Sequence, residues 1–231
     1  ANIAFIHEWT LLAEKSGVNL WDVVDAIRIR KGTHDSMRYP GFGVGGYCLT
    51  KDSLLAQWGG ENLLQVDTGL DTTLRALQTN YHMPLHTLDL LRELLGENLK
   101  GKSVVLCGIS YLPDVGDTRN SPSQIFADAA LTAGVKLTLH DPNVSLWPER
   151  PDVPFVHNLE AAIATADALV FTLPHSDYHK LTTETIAGCA NIVDANNVFD
   201  DTRAADLHHR GVRIIGTGKG HWRTTGLHKK S

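Results

Sequence analysis

Several features that define large protein classes are scarce in this sequence of 231 residues. Its three cysteines, Cys48, Cys107 and Cys189, lie far apart and form no Cys-x-x-Cys motif, so a disulfide framework is excluded. The longest apolar runs, such as 168–171, span a few residues, whereas a membrane helix needs about 20. We therefore expect a globular protein without a membrane span, in the reducing cytoplasm.

The sequence also lacks a large excess of charge of either sign. It has 21 Lys and Arg residues against 26 Asp and Glu residues, which gives a formal net charge of -5. This balance provides no electrostatic footprint for nucleic acid or for an anionic membrane, and we expect neither as a partner. Hydrophobic residues make up 42% of the chain, which is ordinary globular usage, and the length allows one large or two small domains.

Neither an initiating methionine nor a signal peptide is present at the start of the chain, ANIAFIHEWTLLAEKSG. Apolar residues already recur there at helical spacing, so we expect that a preceding part of the protein is missing. The same spacing predicts helices over 2–15, 20–30 and 51–95, the last with a long helix from about 67 and a kink at Pro84. Residues 32–50 break this pattern and predict a glycine-rich loop.

From Gly101 onward, apolar runs alternate with helical segments. The runs predict strands over 103–106, 135–140, 168–173, 191–194 and 212–217, and the intervening patterns predict helices over 124–133 and 159–166. This alternation is typical of a doubly wound parallel sheet. We predict an α/β protein with a helical domain over residues 1–97 and a Rossmann-like domain over 98–231.

The segment that carries the clearest chemistry is YPGFGVGGYCLTKD, residues 39–52. If Cys48 begins a helix, Lys51 and Asp52 share its face, and a thiol at a helix N-terminus beside a cation ionises readily to a nucleophile. The glycines leave backbone N–H groups free to bind a phosphate, a sugar hydroxyl or a developing oxyanion. A buried cysteine beside a structural turn is the alternative interpretation. A cysteine hydrolase is another, and it needs a histidine next to Cys48.

Metal binding is a weaker hypothesis. His175 and His179 have the i, i+4 spacing of two ligands on one helix, but no third ligand lies near them in the sequence. An ordinary helix start after a strand explains the pair equally well. We predict no metal site.

The segment 39–52 resembles the Pro-Gly-x-Gly-x-Gly-Gly-x-Cys-x-x-Lys-Asp motif of the nucleotide-sugar 6-dehydrogenases, the UDP-glucose/GDP-mannose/UDP-N-acetylmannosamine dehydrogenase family. Residues 108–122, GISYLPDVGDTRNSP, resemble the first strand-loop-helix of that family's nucleotide-binding C-terminal domain. A third similarity is His140-Asp141-Pro142 after the second strand. The three matches occur in the family's order and cover nearly the whole chain.

This resemblance implies that two NAD-dependent oxidations convert the C6 alcohol of a nucleotide sugar, by preference a UDP-sugar, to a carboxylate in the synthesis of surface polysaccharide precursors. Cys48 would hold the intermediate as a thiohemiacetal and then as a thioester, and Asp52 would help water to hydrolyse the thioester. Lys51 and Arg119 would lie toward NAD. A helix-start salt bridge is the alternative role for Arg119.

The resemblance also implies where the substrate binds and how the subunits associate. The long helix near 67–95 would form a homodimer, and Arg30, or less well Lys31, would reach the neighbouring subunit's substrate. The residues implied in substrate binding are Arg30, Tyr39, Pro40, Gly41, Phe42, Gly43, Val44, Gly45 and Tyr111.

Three departures from the family pattern leave a second hypothesis open. The Gly-x-Gly-x-x-Gly domain that would bind NAD and the catalytic Lys and Asn that would precede Ala1 are missing from this chain. Leu112 and Asn196 stand where the family usually has Lys and Arg, which weakens the expected phosphate and uridine contacts. We therefore expect this part alone to be inactive. The alternative is a non-catalytic nucleotide-sugar-binding and dimerisation module of the same fold.

Overall fold

The computed structural model describes residues 1–229, so residues 230 and 231 of the predicted second domain lie outside the described part. Its first 95 residues form helices joined by loops. Gly17, at φ 72°, ends the first helix, and the side chain of Asn19 accepts the Trp21 N–H to begin the second. The elements are α1 (Asn2–Ser16), α2 (Leu20–Arg28), α3 (Cys48–Gly59), a π-helical turn (Gly60–Leu64) and α4 (Asp71–Leu95).

The continuous helical pattern predicted over 51–95 is wrong between residues 65 and 70. Gln65 and Gly69 have left-handed backbones, with φ values of 54° and 57°, which no α-helix accommodates. The long helix α4 therefore begins at Asp71 rather than near residue 67. Pro84 lies inside this helix, which continues to Leu95.

A five-stranded sheet occupies the second half of the chain. Its strands are β1 (Ser103–Cys107), β2 (Lys136–His140), β3 (Ala168–Phe171), β4 (Asn191–Asp194) and β5 (Arg213–Gly216). All are parallel, in the order β2-β1-β3-β4-β5, and Val105 of β1 lies between Thr138 of β2 and Leu169 of β3. This confirms the predicted α/β fold with a doubly wound parallel sheet.

Helices cover both faces of the sheet. One face packs against α5 (Ser123–Thr132) and the C-terminal half of α4, where Leu91 and Phe126 are fully buried beside Leu106. The two predicted domains thus share one core, and their division between residues 97 and 98 stays a prediction. The other face packs against α6 (Leu159–Ile163), α7 (Ser176–Lys180), α8 (Thr183–Ile186), α9 (Asp201–His209) and α10 (Gly220–Thr224).

Backbone and side-chain hydrogen bonds fasten the first helices to the turn that follows β5. The Leu20 N–H donates to the Gly218 carbonyl at 2.9 Å, and the Gly220 N–H donates to Val18 at 3.0 Å. The buried Glu14 carboxylate accepts the Gly218 N–H at 2.8 Å. The helical and sheet-containing parts are therefore joined at α1 as well as through α4.

No helix within residues 1–229 combines the length and the apolar composition needed to cross a lipid bilayer.

Candidate functional site

The glycine-rich loop between α2 and α3 lies against the carboxyl edge of the sheet. A Cβ on Gly45 would stand 2.6 Å from the Asn120 carbonyl, and one on Gly46 would stand 3.1 Å from the Tyr111 ring. A Cβ on Gly41 would meet Oδ1 of Asn196, after β4, at 2.5 Å. These glycines therefore permit close packing of the loop on the loops that follow β1 and β4.

Asn80 of α4 fixes the centre of this loop from the other side. Its Oδ1 accepts the Val44 N–H at 2.8 Å, and its Nδ2 donates to the Val44 carbonyl at 2.9 Å. Asn80 is buried, and both bonds are partly shielded from water. A single amide on a helix has no local sequence signal, so sequence motifs do not predict this role of Asn80.

Tyr39 opens the loop in a fixed position. Its ring stacks on Trp21 at 5.2 Å between centroids, and the Arg28 guanidinium lies 5.0 Å from the ring centre. The hydroxyl donates to Asp25 at 2.6 Å, and this hydrogen bond raises the pKa of Tyr39. Tyr39 is 37% exposed, which leaves part of the residue available to a ligand.

A cleft of about 660 Å³ opens between this loop, α1 and the carboxyl ends of β3 and β4. Ligands of open parallel sheets bind at such carboxyl ends. Six of the predicted substrate-binding residues, 39–44, line it. Its lining comprises Ile3, His7, Trp21, Arg38, Tyr39, Pro40, Gly41, Phe42, Gly43, Val44, Leu49, Pro174, His179, Asn196 and Asn197.

Other predicted substrate contacts are placed differently. The Phe42 side chain is 3% exposed and packs with Phe126 in the core, so Phe42 offers the cleft its backbone rather than its ring. Gly45 and Tyr111 lie together just outside the cleft lining. Arg30 is exposed beyond the end of α2, away from this lining.

Cys48 is the first residue of α3 and follows the glycine-rich loop directly. Its thiol is exposed, whereas Cys107 and Cys189 are buried. Leu49, the next residue, lines the cleft, and Lys51 and Asp52 are exposed in the first turn of α3. A nucleophilic thiol, a cation and a carboxylate therefore occur together at one helix start.

Arg119 and Lys51 converge on the exposed ring of Tyr47. The Arg119 guanidinium lies 5.3 Å and the Lys51 ammonium 5.4 Å from the ring centre. Two parallel hydrogen bonds join Arg119 to Asp117, at 2.9 Å and 2.6 Å, and they lower the pKa of Asp117 to about 2. The salt bridge that was the alternative role of Arg119 is thus present, and it holds the Arg119 guanidinium beside Tyr47.

A buried hydrogen-bond network, which the motif analysis did not assign, holds the loop after β1. Asp141 accepts the N–H groups of Ile109 and Ser110 at 2.8 Å and 3.1 Å, and Nε2 of His175 lies 3.2 Å away. The His175 Nδ1 accepts the Asp114 N–H at 2.9 Å. Burial raises the pKa of Asp141, but the hydrogen bonds from His175 and Ile109 outweigh it and lower this pKa to about 2.

His175 therefore serves this network, and His179 faces the cleft from α7. Within residues 1–229, no group of three or more His, Cys, Asp or Glu side chains is arranged to hold a metal ion.

Two family models match the chain. The model described as the UDP-glucose/GDP-mannose dehydrogenase family, central domain, matches residues 1–80, and the UDP binding domain of the same family matches residues 105–205.

Curated relatives and a solved structure agree with these family models. A UDP-N-acetyl-D-mannosamine dehydrogenase of Methanococcus vannielii is 26% identical over 96% of this chain and 49% of its own length. A UDP-glucose 6-dehydrogenase of Pseudomonas aeruginosa is 29% identical over 89% of this chain and 47% of its own length. The crystal structure of an NDP-N-acetyl-D-galactosaminuronic acid dehydrogenase from Methanosarcina mazei is similar with a TM-score of 0.83 at 30% identity, covering 96% of this chain and 49% of that one.

The chain thus spans about half the length of the relatives that it matches. Both family models follow one another along it in the order of the helical and sheet-containing parts. The chain belongs to the UDP-glucose/GDP-mannose dehydrogenase family.

Proposed function

We propose that this chain is the substrate-binding and covalent-catalysis part of an NAD-dependent dehydrogenase that oxidises the C6 alcohol of a UDP-sugar to a carboxylate. The observation that carries the proposal is the position of Cys48. It is an exposed thiol that begins α3 directly after the loop lining the 660 Å³ cleft. The resemblance of residues 39–52 to the family motif supports the same role.

In this proposal the Cys48 thiol adds across the C=O bond of the C6 aldehyde that the first two-electron oxidation produces. The resulting thiohemiacetal keeps the carbon at the site until a second two-electron oxidation gives a thioester. Water, with Asp52 accepting its proton, then breaks the C–S bond, which releases the carboxylate and returns the thiol. NAD, when bound, accepts a hydride in each oxidation.

The residues of this chain fit one edge of NAD rather than the whole cofactor. Lys51 and Arg119 place two cations beside the Tyr47 ring, which suits an anionic group, although Asp117 already balances part of this charge. Within residues 1–229 the Gly-x-Gly-x-x-Gly spacing occurs at 41–46, but there it follows a helix, α2, and not the strand of a strand-to-helix turn that would bind a dinucleotide. We propose that another part of the protein supplies that turn, in a cytoplasmic homodimer that makes surface polysaccharide precursors.

Alkylation of Cys48 tests this proposal on the chain itself, because the other two cysteines are buried. We expect iodoacetamide to label Cys48 selectively, and a saturating UDP-sugar to slow the labelling about tenfold, since the sugar would cover the thiol. UDP alone should protect less. Mass spectrometry of the labelled peptide measures the rate, and Cys189→Ala serves as a matched control that leaves the rate unchanged. Equal rates with and without every UDP-sugar tested would contradict the proposal.

A binding module without redox chemistry is the second candidate. Its support is Leu112, which is 47% exposed where a cation was expected, and Asn196, whose amide donates to the Thr172 carbonyl at 3.1 Å. NADH formation from UDP- and GDP-sugars by a form of the protein that includes a dinucleotide-binding part separates the two. If the protein is a dehydrogenase, NADH forms with the wild type and does not form with Cys48→Ala. If it is a binding module, it binds the sugars and no NADH forms.

The cysteine hydrolase hypothesis has no such support. Among the described histidines, His175 is bonded to Asp141 and His86 to Glu14, and no histidine of residues 1–229 hydrogen-bonds the Cys48 thiol.

A further inference from the structure

Two residues on the walls of the 660 Å³ cleft have buried polar atoms without hydrogen-bond partners. They are Nδ1 of His7, on α1, and Oδ1 of Asn197, in the turn after β4; neither atom finds a partner within residues 1–229. A buried polar atom without a hydrogen-bond partner destabilises the fold, so proteins rarely keep one without a reason. Both residues line the same cleft, and a molecule bound against them would supply the missing partners.

His7 is suited to bind an uncharged group. Its side chain is 2% exposed between α1 and the glycine-rich loop, and burial lowers the pKa of His7 to about 4. The imidazole is therefore neutral near pH 7 and has one donor and one acceptor nitrogen. A neutral ring matches hydroxyl groups, whereas a phosphate would favour a cation.

Asn197 is held on a rigid support. Its backbone has a φ of 58°, a conformation that asparagine tolerates better than most residues. The residues before and after Asn197 are held by the Asp194 carboxylate, which accepts the N–H groups of Asn196, Val198 and Phe199 at 3.2, 2.9 and 2.9 Å. The backbone of the turn is therefore fixed before any ligand binds, and it carries the unpaired Oδ1 of the Asn197 side chain.

Charge is distributed unevenly over the cleft. Arg38 lines it as an exposed cation, while His7, Asn196 and Asn197 are neutral. An anionic diphosphate is best placed near Arg38, which leaves the neutral residues to an uncharged ring.

We propose that His7 and Asn197 are specificity-determining residues that hydrogen-bond the hydroxyl groups of the sugar ring of a nucleotide sugar. The proposal rests on the proposed function and deepens it, because it assigns the sugar, rather than the nucleotide, to these two side chains. A sugar hydroxyl donates to Asn197 Oδ1 and shares a hydrogen bond with His7 Nδ1. Their unpaired atoms are satisfied only when the sugar is present.

Calorimetric titration of the 231-residue chain with UDP, UDP-glucose and UDP-N-acetylmannosamine tests this. The ratio of the Kd of UDP to the Kd of a UDP-sugar measures what the sugar contributes. We expect His7→Leu, which keeps the volume and removes both nitrogens, to reduce this ratio about 3- to 10-fold while the Kd of UDP changes less than about twofold. Asn197→Gly, which keeps the left-handed backbone, should have the same effect.

Conservative variants distinguish hydrogen bonding from packing. The amide of His7→Asn places a polar atom near the position of Nδ1, and that of His7→Gln places one near Nε2. We expect His7→Asn to restore most of the ratio and His7→Gln to restore little. His228→Leu is the matched control, because His228 also has an unpaired buried Nδ1 but lies outside the cleft lining; it should leave every Kd unchanged. Thermal unfolding confirms that each variant is folded. If His7→Leu does not fold, Asn197→Gly and His7→Asn provide the test instead.

The outcomes separate this proposal from the one on which it rests. If the wild-type chain binds neither UDP nor the UDP-sugars, the proposed function fails. If it binds them and the ratio is unchanged in His7→Leu and Asn197→Gly, or if UDP binding falls as much as UDP-sugar binding, the assignment of these residues to the sugar is wrong.

Discussion

A single buried carboxylate, Asp141, organises the loop after β1, and its replacement by asparagine tests how much that matters. The pKa of Asp141 is lowered from 3.8 to about 2, so the ionised form stabilises the fold. A lowered pKa of this size corresponds to about 2 kcal/mol of stability, which is fully present above pH 4 and is lost as the pH falls toward 2. We expect Asp141→Asn to lose about this free energy of unfolding at pH 7.

Urea unfolding at several pH values measures this effect. The difference between wild type and Asp141→Asn should shrink as the pH falls from 4 toward 2, because the wild-type carboxylate then takes up its proton. Asp35→Asn is the control, since Asp35 is exposed in the loop before Tyr39. A difference between wild type and Asp141→Asn that does not change with pH would refute the electrostatic explanation.

Sequence motifs could identify some site residues and not others. Cys48, Lys51 and Asp52 lie in a contiguous pattern, and the structure places all three at one helix start. Phe42 lies in the same pattern, but nothing in a loop sequence indicates that its ring turns into the core. Asn80 and His7 lie on helices far from the motif, and only the tertiary fold brings them to the loop. Identifying them requires knowledge of the contacts between segments that lie far apart in the sequence.

Two glycine-to-alanine substitutions should change the free energy of unfolding in opposite directions. One of them lies at the contact between the glycine-rich loop and the loop after β1, and the other lies outside it. A Cβ on Gly45 would stand 2.6 Å from the Asn120 carbonyl and 2.8 Å from Pro122, so Gly45→Ala must push the two loops apart. We expect it to lower the free energy of unfolding by about 1–3 kcal/mol. Gly59 ends α3 with no atom within 4 Å of its Cβ position, so Gly59→Ala should raise it by about 0.5–1 kcal/mol.

Urea unfolding measures both variants, and hydrogen exchange reports where Gly45→Ala loosens the protein. Faster exchange should be confined to the glycine-rich loop and the loop after β1. A Gly45→Ala protein as stable as Gly59→Ala would show that this packing is dispensable.

Strands were easier to predict than helices in this chain for a physical reason. A strand buried on both faces is a continuous apolar run, and the runs at 103–106 and 191–194 lie within one residue of β1 and β4. Helical spacing, by contrast, continues through the π-helical turn without a change in composition. The left-handed Gln65 could not be foreseen, because only tertiary packing makes that conformation favourable.

At the scale of the whole molecule, exposed apolar side chains bear on the predicted homodimer. Nine of the 25 residues of α4 are buried within its own chain, most of them in its C-terminal half, and Tyr81 and Leu85 are near 37% exposed. Trp58 of α3 is 55% exposed. Beside Trp58, the exposed large apolar residues are Leu54, Leu55, Leu63 and Leu64. We expect the α3 surface to be buried between subunits along with the outer side of α4.

Light scattering of the purified chain measures this association. We expect a dimer for the wild type and a monomer for Trp58→Glu, since an interfacial carboxylate would lose its water without gaining a partner. Ala164→Glu adds the same charge after α6 and should remain dimeric. A monomeric wild type would contradict the predicted homodimer, and a dimeric Trp58→Glu would contradict the role of α3.

The bonds that join α1 and α2 to the turn after β5 also have a kinetic consequence. Because Leu20, Val18 and Glu14 are all tied to Gly218 or Gly220, the two walls of the cleft cannot swing apart without breaking this connection. Ligand entry should then need no slow opening step. We expect the observed association rate of a UDP-sugar to rise linearly with its concentration in stopped-flow experiments, as it does for a preformed site.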